Sequence, residues 1–269
     1  MAAYETLTVE VEGGVARLTL NRPEVMNAIN RQMAAELTDA LHMLGTRDDV
    51  RVVVLQGAGG NFCAGGDVRG MRDAGPRSSD EAREGMALYR RMTEALHGLE
   101  CPVIAAADGV AFGAGFSLLL LADLVLLGER ARLSMVFGRV GLIPDCGALH
   151  TLPRVVGLQR AKELVFSARE LDAREAVALG VALEVLPGNE LLPRAMAMAA
   201  ALGQASPLAL ALAKRGLDDA FDIDLGEAMA REANGQALAL GSAWHREAVR
   251  RFLAKESPSF RWPPSRRSD

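Results

Sequence analysis

The chain has 269 residues, half of them hydrophobic, with 30 lysines and arginines against 34 aspartates and glutamates, for a formal net charge of -4. That is enough apolar material for a sizeable core and argues against disorder. The small acidic surplus and an aromatic content of 4% offer neither an electrostatic footprint for a phosphate backbone nor stacking platforms for bases, so nucleic acid is not an expected partner.

In chain order, the start carries Glu5 and Glu10 where a secretion signal would need a basic, then apolar, run, so it reads as mature protein. Residues 6–12 and 15–20 alternate apolar and polar side chains around Gly13 and Gly14, which predicts a hairpin. Met33, Leu37, Leu41 and Leu44 then fall at helical spacing. The β-branched runs at 51–56 and 101–107, separated by a glycine-rich loop and a helical stretch at about 79–99, predict parallel strands with helical crossovers. The apolar tract 109–122 is bounded by Asp108 and Asp123 and contains glycines, too short and broken for a membrane span. It reads as a buried segment with a short helix from near Gly113, followed by a strand at 123–127. From about Leu158 the residues favour helix and strand signals nearly vanish; Ser206-Pro207 reads as a helix start, and Gly188, Gly203 and Gly216 as helix ends. The tail from Ser257 is proline-rich, basic and without periodicity, and reads as a frayed end. Cys63, Cys101 and Cys146 are far apart, without a CxxC or a nearby histidine pair; reduced thiols in the cytoplasm fit better than a disulfide framework, and no metal site is expected.

Two glycine clusters carry the chemistry. The loop at 57–71 follows a buried strand, yet has no GxGxxG opening a helix and no P-loop lysine, which disfavours a nucleotide triphosphate. The cluster at 108–115 precedes the apolar helix. Backbone N–H groups from two such loops can converge on one carbonyl oxygen and stabilise the enolate formed when an adjacent proton leaves. Each donor is worth about 3 kcal/mol of barrier.

Asn21-Arg22-Pro23-Glu24 with Met26-Asn27-Ala28, then residues 61–67 (NFCAGGD), 108–115, 141–147 (GLIPDCG) and Leu152-Pro153-Arg154 together resemble the enoyl-CoA hydratase/isomerase (crotonase) family over nearly the whole chain. Within it, residues 136–157 look most like the ring-opening isomerases of phenylacetyl-CoA degradation. The resemblance implies an α/β spiral of ββα turns with a C-terminal helical trimerisation region, divided here as 1–190 and 191–269, in a homotrimer or hexamer. It implies an acyl-CoA thioester as substrate and no permanently bound cofactor beyond the coenzyme A of that substrate. Carried over position by position, the oxyanion hole uses the N–H groups of Gly66 and Ala114. Coenzyme A runs along Asn27, Ala28, Ala64, Asp67, Val68 and Arg69, and Phe252, Lys255 and Phe260 match a segment that reaches its phosphates and adenine. Lys255 has a plain surface lysine as its alternative, and Asp67 is expected to brace its loop rather than react.

The two glutamates with which family hydratases activate water and protonate carbon fall on Ser117 and Phe137, neither of which does that work. Asp145 occupies the place of a catalytic aspartate in some family isomerases, and burial among small and apolar neighbours would raise its pKa. Its alternative is a cap on a helix starting near Gly147. His150 is expected on the outer face of that helix, with the acyl pocket as its alternative; Cys63 and Cys146 are expected to line the pocket. The resulting expectation is a double-bond isomerase using Asp145, with a hydratase using Asp145 alone, an Asp145 nucleophile, and a non-catalytic acyl-CoA binder as alternatives. The acyl group itself depends on residues 71–96 and on the packing of Phe116, Met135 and Phe137.

Overall fold

The chain enters as a hairpin, β1 (Leu7–Glu12) and β2 (Val15–Leu20), paired antiparallel with Leu7 opposite Leu20 and Glu12 opposite Val15. The tight turn needs positive φ at two successive residues, and Gly13 at 56° and Gly14 at 84° adopt it. The computed structural model describes residues 4–73, 75 and 78–264. Residues 1–3 and the end of the tail from 265, with Ala74, Pro76 and Arg77 and the side chains of 71–73 in the stretch expected to shape the acyl pocket, lie outside the described part.

From β2 onward the chain repeats one excursion: a strand of the main sheet, a short extended piece in a second layer, and a return by helix. β2 leads to Ile29 and returns by α1 (Arg31–Gly45); β3 (Val52–Gly57) leads to residues 63–66 and returns by α2 (Val68–Asp73) and α3 (Ser79–His97). Next, β4 (Val103–Ala107) leads to β5 (Val110–Phe112) and α4 (Ala114–Leu119), and β6 (Leu124–Gly128) leads to β7 (Arg132–Ser134), α5 (Ala148–Val156) and α6 (Leu158–Ser167). After β8 (Leu171–Asp172), α7 (Ala173–Ala178) and β9 (Glu184–Leu186) come α8 (Gly188–Leu202), α9 (Pro207–Asp218), α10 (Leu225–Leu240) and α11 (Ala243–Leu253).

The main sheet has the order β1-β2-β3-β4-β6-β9, parallel from β2 onward. The second sheet, β5-β7-β8, is extended by single bridges from Cys63 to Ala111 and from Ile29 to Gly66. Strand alternation sorts the core into two faces. Val53, Leu55, Val103, Ala105, Ala107 and Leu127 point to the side of α1 and α3. Val52, Val54, Ile104, Ala106 and Leu126 point to the opposite side, where Leu191, Ala195, Met198, Ala199 and Leu202 of α8 cover them. The 190/191 division therefore falls inside a helix that seals the sheet.

Two expectations change. The last third is not purely helical, because β9 adds an edge to the main sheet beside β6 and β8 adds one beside β7. Strands of two or three residues are set by their partners rather than by local preference, which is why the sequence hides them. Gly216 lies inside α9 rather than at its end, whereas Gly203 caps α8 and Ser206 caps α9 by accepting from the Ala209 N–H. Among the described residues no single helix is long and apolar enough to cross a membrane; the tract at 109–122 is β5, α4 and a turn.

Candidate active site

The loop after β3 is laid against β5 as a parallel ribbon. Phe62 N donates to Asp108 O, Cys63 N to Val110 O and Phe112 N to Cys63 O, each at 2.9 Å, while Asn61 Oδ1 accepts from Val110 N at 3.0 Å. This register sets Cys63 beside Ala111, and the turn at Gly113 into α4 brings the Ala114 N–H close to Gly65, the residue before Gly66. Gly65 makes the approach possible: its φ is 94°, and a Cβ there would lie 2.7 Å from Phe112 O and 3.4 Å from Ala114 N. On the outer side of the ribbon Gly65 O accepts from Ile29 N and Asp67 N donates to Ile29 O. Among the described residues neither the Gly66 nor the Ala114 N–H has an acceptor. Ala114 is the first residue of α4, so its N–H has no partner within the helix, and its φ is not positive. The preceding Gly113, at φ 51° and ψ -122°, makes the turn that aims it. Two free donors on adjacent chains are the arrangement a thioester oxygen needs.

Facing this donor wall is the segment between β7 and α5. The edge of the Phe137 ring lies 3.7 Å from where a Cβ on Gly113 would stand, so an aromatic ring borders the donors where a hydratase would hold a carboxylate. Ser117 is fully buried and its hydroxyl donates to Gly113 O at 3.2 Å. Beyond Gly141, Asp145 is half-buried between the buried Pro144 and Cys146. Its Oδ1 is buried without a hydrogen-bond partner. The residue capping α5 is Gly147, with no side-chain cap; only the Asp145 carbonyl takes part, accepting from Ala148 N at 3.1 Å. The helix-cap alternative for the Asp145 carboxyl is thus not what the geometry shows. Burial pushes the Asp145 pKa upward, and hydrogen bonding from the Cys146 thiol and the local backbone offsets part of the rise.

The remaining candidates divide into two places. Asn27, Ala28, Ala64, Asp67, Val68 and Arg69 gather in one loop cluster beside the donors. Asn27 is fully buried with its side chain committed: Oδ1 accepts from Arg22 N, and Nδ2 donates to Ala58 O and Asn61 O at 2.9 and 2.8 Å. Arg22 bridges Ala28 O and Asp67 Oδ2, and Asp67 also accepts from Gly70 N at the start of α2. These contacts hold the Asp67 pKa down against burial, so its carboxylate braces the loop. Val68 and Arg69 are exposed at the mouth. Lys255 and Phe260 lie elsewhere: Lys255 is exposed just past α11, and the Phe260 ring packs on the α8 side of the main sheet.

His150 is exposed on α5 and lines a cavity of about 520 Å³ between α5, α9 and residues 120–124. None of Gly66, Ala114 and Asp145 lines it. Burial raises the Cys63 thiol to about 12 and pushes Cys146 up too, so both stay protonated. Cys63 donates to Asn27 O at 3.1 Å. Tyr89 of α3 was not anticipated. Its ring is half-buried against the main core, which pushes the phenol pKa up, and Thr93 one turn further on lies against Gly147. A lone aromatic on an amphipathic helix carries no signal linking it to a loop more than fifty residues away. Among the described residues no cluster of His, Cys, Asp and Glu is arranged to hold a metal ion.

The family model described as enoyl-CoA hydratase/isomerase matches residues 10–263. An Escherichia coli protein named 1,2-epoxyphenylacetyl-CoA isomerase is 38% identical over 258 residues, 95% of this chain and 98% of that one. A Rhodobacter capsulatus protein named "probable enoyl-CoA hydratase" is 37% identical over 265 residues, 96% of this chain and 98% of that one. Among solved structures, an enoyl-CoA hydratase/isomerase from Cupriavidus metallidurans superimposes with a TM-score of 0.92 at 42% identity, covering 99% of this chain and 100% of that one.

Proposed function

The chain belongs to the enoyl-CoA hydratase/isomerase family, enzymes acting on acyl-CoA thioesters, and we propose that within it this protein is a double-bond isomerase. The observation that carries the proposal is the buried, unpartnered Asp145 Oδ1, in a chain that also leaves two backbone donors free and has Ser117 and Phe137 at its other acid positions.

In this reading the thioester oxygen accepts from Gly66 N–H and Ala114 N–H. The Asp145 carboxylate takes a proton from C2 of a 3-enoyl thioester, and the electron pair left behind spreads into a dienolate whose charge the two donors hold. The same carboxyl, now protonated, returns that proton to C4, and the double bond moves from C3–C4 to C2–C3. Proton count and charge are unchanged. Loss of water-activating acids does not impede this sequence, because no water is consumed.

A second reading, hydration with Asp145 as the lone base, is favoured by relatives whose printed names are hydratases. Purified protein assayed on 3-enoyl-CoA and 2-enoyl-CoA separates the two. Faster isomerisation, abolished in Asp145→Asn, supports the proposal; hydration at least as fast as isomerisation overturns it.

The subunit is proposed to work as a homotrimer or hexamer. Helices α9, α10 and α11 bury no residue completely, and Leu217, Phe221, Leu225 and Phe252 are 73%, 73%, 76% and 81% exposed. Faces this apolar ask for a second copy, and light scattering at the mass of one chain would refute it. Lys255 and Arg69 are the proposed cations for coenzyme A phosphates. The three free thiols suit a reducing cytoplasm.

A further inference from the structure

The first donor does not end at its own peptide. A trans peptide sets its C=O and N–H in opposite directions, so whatever grips Gly65 O aims the Gly66 N–H. That grip is the Ile29 N–H, which donates to Gly65 O at 2.7 Å. The carbonyl in the same peptide as the Ile29 N–H is Ala28 O, and it accepts from Arg22 Nη1 at 2.6 Å. Two peptides in series, Ala28–Ile29 and Gly65–Gly66, therefore connect a guanidinium to the donor. Asp67 N, donating to Ile29 O at 3.0 Å, clamps the two segments in this register. The second donor is backed differently, because Gly113 O accepts from the Ser117 N–H and the Ser117 hydroxyl, both neutral.

From this chain of bonds we infer that Arg22 is a positioning residue for the reaction, acting on the thioester oxygen through the Gly66 N–H without touching substrate. Its positive charge draws electron density along both peptides, so the Gly66 N–H is a stronger donor when the enolate charge develops. A second effect has the same sign. Asp67 follows Gly66 directly, and a bare carboxylate there would repel the enolate oxygen. Arg22 Nη1 pairs with Asp67 Oδ2 at 3.0 Å, where the two side chains are 17% and 15% exposed and water screens little. The Arg22 backbone is itself fixed, because its N–H donates to Asn27 Oδ1 at 2.9 Å and the Asn27 amide is tied in turn to the loop after β3. One donor is worth about 10²–10³ in kcat and each link strengthens the next by about 10–30%, so with the uncovered Asp67 charge added, losing Arg22 costs about three- to tenfold in kcat.

The inference rests on the reading of the Gly66 N–H as a donor to the thioester oxygen, and the experiment keeps the two apart. Wild type, Arg22→Gln and Arg22→Lys are compared in two measurements. One is kcat and KM for isomerisation of 3-hexenoyl-CoA. The other is the absorbance maximum of bound 4-dimethylaminocinnamoyl-CoA, a thioester whose colour moves to the red as its carbonyl is polarised. The expected result is a red shift on wild type that shrinks in Arg22→Gln, with kcat down about three- to tenfold and KM within about twofold. Arg22→Lys, which keeps the charge without the fork of donors, falls between the two. A red shift and kcat equal to wild type in Arg22→Gln overturn the inference, and so does a raised KM at unchanged kcat, the mark of a brace for the coenzyme A loop. If Arg22→Gln does not fold, Arg22→Lys decides alone, and wild-type values in it overturn the inference. No red shift on wild type overturns the donor reading of Gly66 instead, and no isomerisation by wild type overturns the isomerase reading and leaves the absorbance to decide.

Discussion

The donor wall, residues 63–66 against 111–114, and the acid wall, residues 135–147, meet across one site but are held by different means. The donor wall is tied to neighbouring strands by backbone hydrogen bonds, Cys63 N to Val110 O, Ala64 N to Met26 O, Ile29 N to Gly65 O and Gly113 N to Ser134 O, so its geometry belongs to the backbone and does not depend on the side chain at Ala114. The acid wall hangs on a turn with three left-handed residues, Gly141, Cys146 and Gly147, and leaves a buried carboxylate oxygen with no partner. Preorganised dipoles cost little to keep, because they replace hydrogen bonds the fold needs anyway. A poised carboxyl is instead a local destabilisation. The comparison teaches that substitutions in the first wall should damage stability and activity together, and that substitutions at Asp145 should trade one against the other.

The strongest way to break that contrast is Asp145→Asn. Removing the proton carrier while preserving shape is expected to lower isomerisation by about 10²–10⁴-fold, and at pH 7 to raise the thermal midpoint. The sign follows from the raised pKa. The folded protein binds a proton at Asp145 more readily than the unfolded chain does, so this group costs stability as pH rises from the ordinary carboxylate range through its folded pKa, and the cost is complete above it. The amide removes that cost. The gain in midpoint should therefore shrink as pH falls below the ordinary carboxylate range. A variant that loses activity but is less stable at pH 7 would mean that the hydrogen bonds of the carboxyl from Cys146 and the local backbone outweigh its burial.

On the donor wall, Gly65→Ala places a Cβ 2.7 Å from Phe112 O at a φ of 94°. The expected cost is about 2–4 kcal/mol of stability from strain and overlap together, with activity falling about 10²-fold as the Gly66 N–H is displaced. Chemical denaturation and kcat on the same sample read both. Stability lost with kcat intact would show that the Gly66 donor is not used.

The pH dependence of isomerisation is a smaller and finer probe. Because Asp145 must begin as a base, kcat/KM should rise with pH through the raised pKa of that carboxyl and then level off, with the midpoint above the usual carboxylate range. A midpoint at or below that range would place the working base elsewhere.

How much of this was legible beforehand follows the same division. The hairpin, α1, α3 and the central strands announce themselves through alternation and helical spacing, because their faces are buried over many residues. The two donor loops were visible as glycine clusters, since close approach of backbones demands glycine at positions such as Gly65. The pairing of those loops and the short strands β5, β7, β8 and β9 were not, because a three-residue strand is defined by what lies beside it. Asp145 could be named from its motif, but the motif could not distinguish a carboxyl capping α5 from one with a bare oxygen. Asn27 was nameable as well, and only its three hydrogen bonds reveal that its side chain ties loops together. Tyr89 belongs to a helix whose relation to residues 145–147 is entirely tertiary.

The smallest expected effect is the one that most sharpens the division between isomerase and hydratase. Ser117 stands where a hydratase would hold an acid, yet its hydroxyl is directed back at Gly113 O within its own helix, and it is fully enclosed. Ser117→Ala removes one hydrogen bond to a carbonyl that also accepts from the Ser117 N–H at 3.0 Å. That carbonyl stays paired, so the expected loss is at most about 1 kcal/mol, and isomerisation should change by less than about threefold. Measured beside Asp145→Asn on both enoyl isomers, a tenfold or greater loss of hydration in Ser117→Ala would mean that water is activated from α4. The acid missing from that helix would then have a working substitute in the Ser117 hydroxyl.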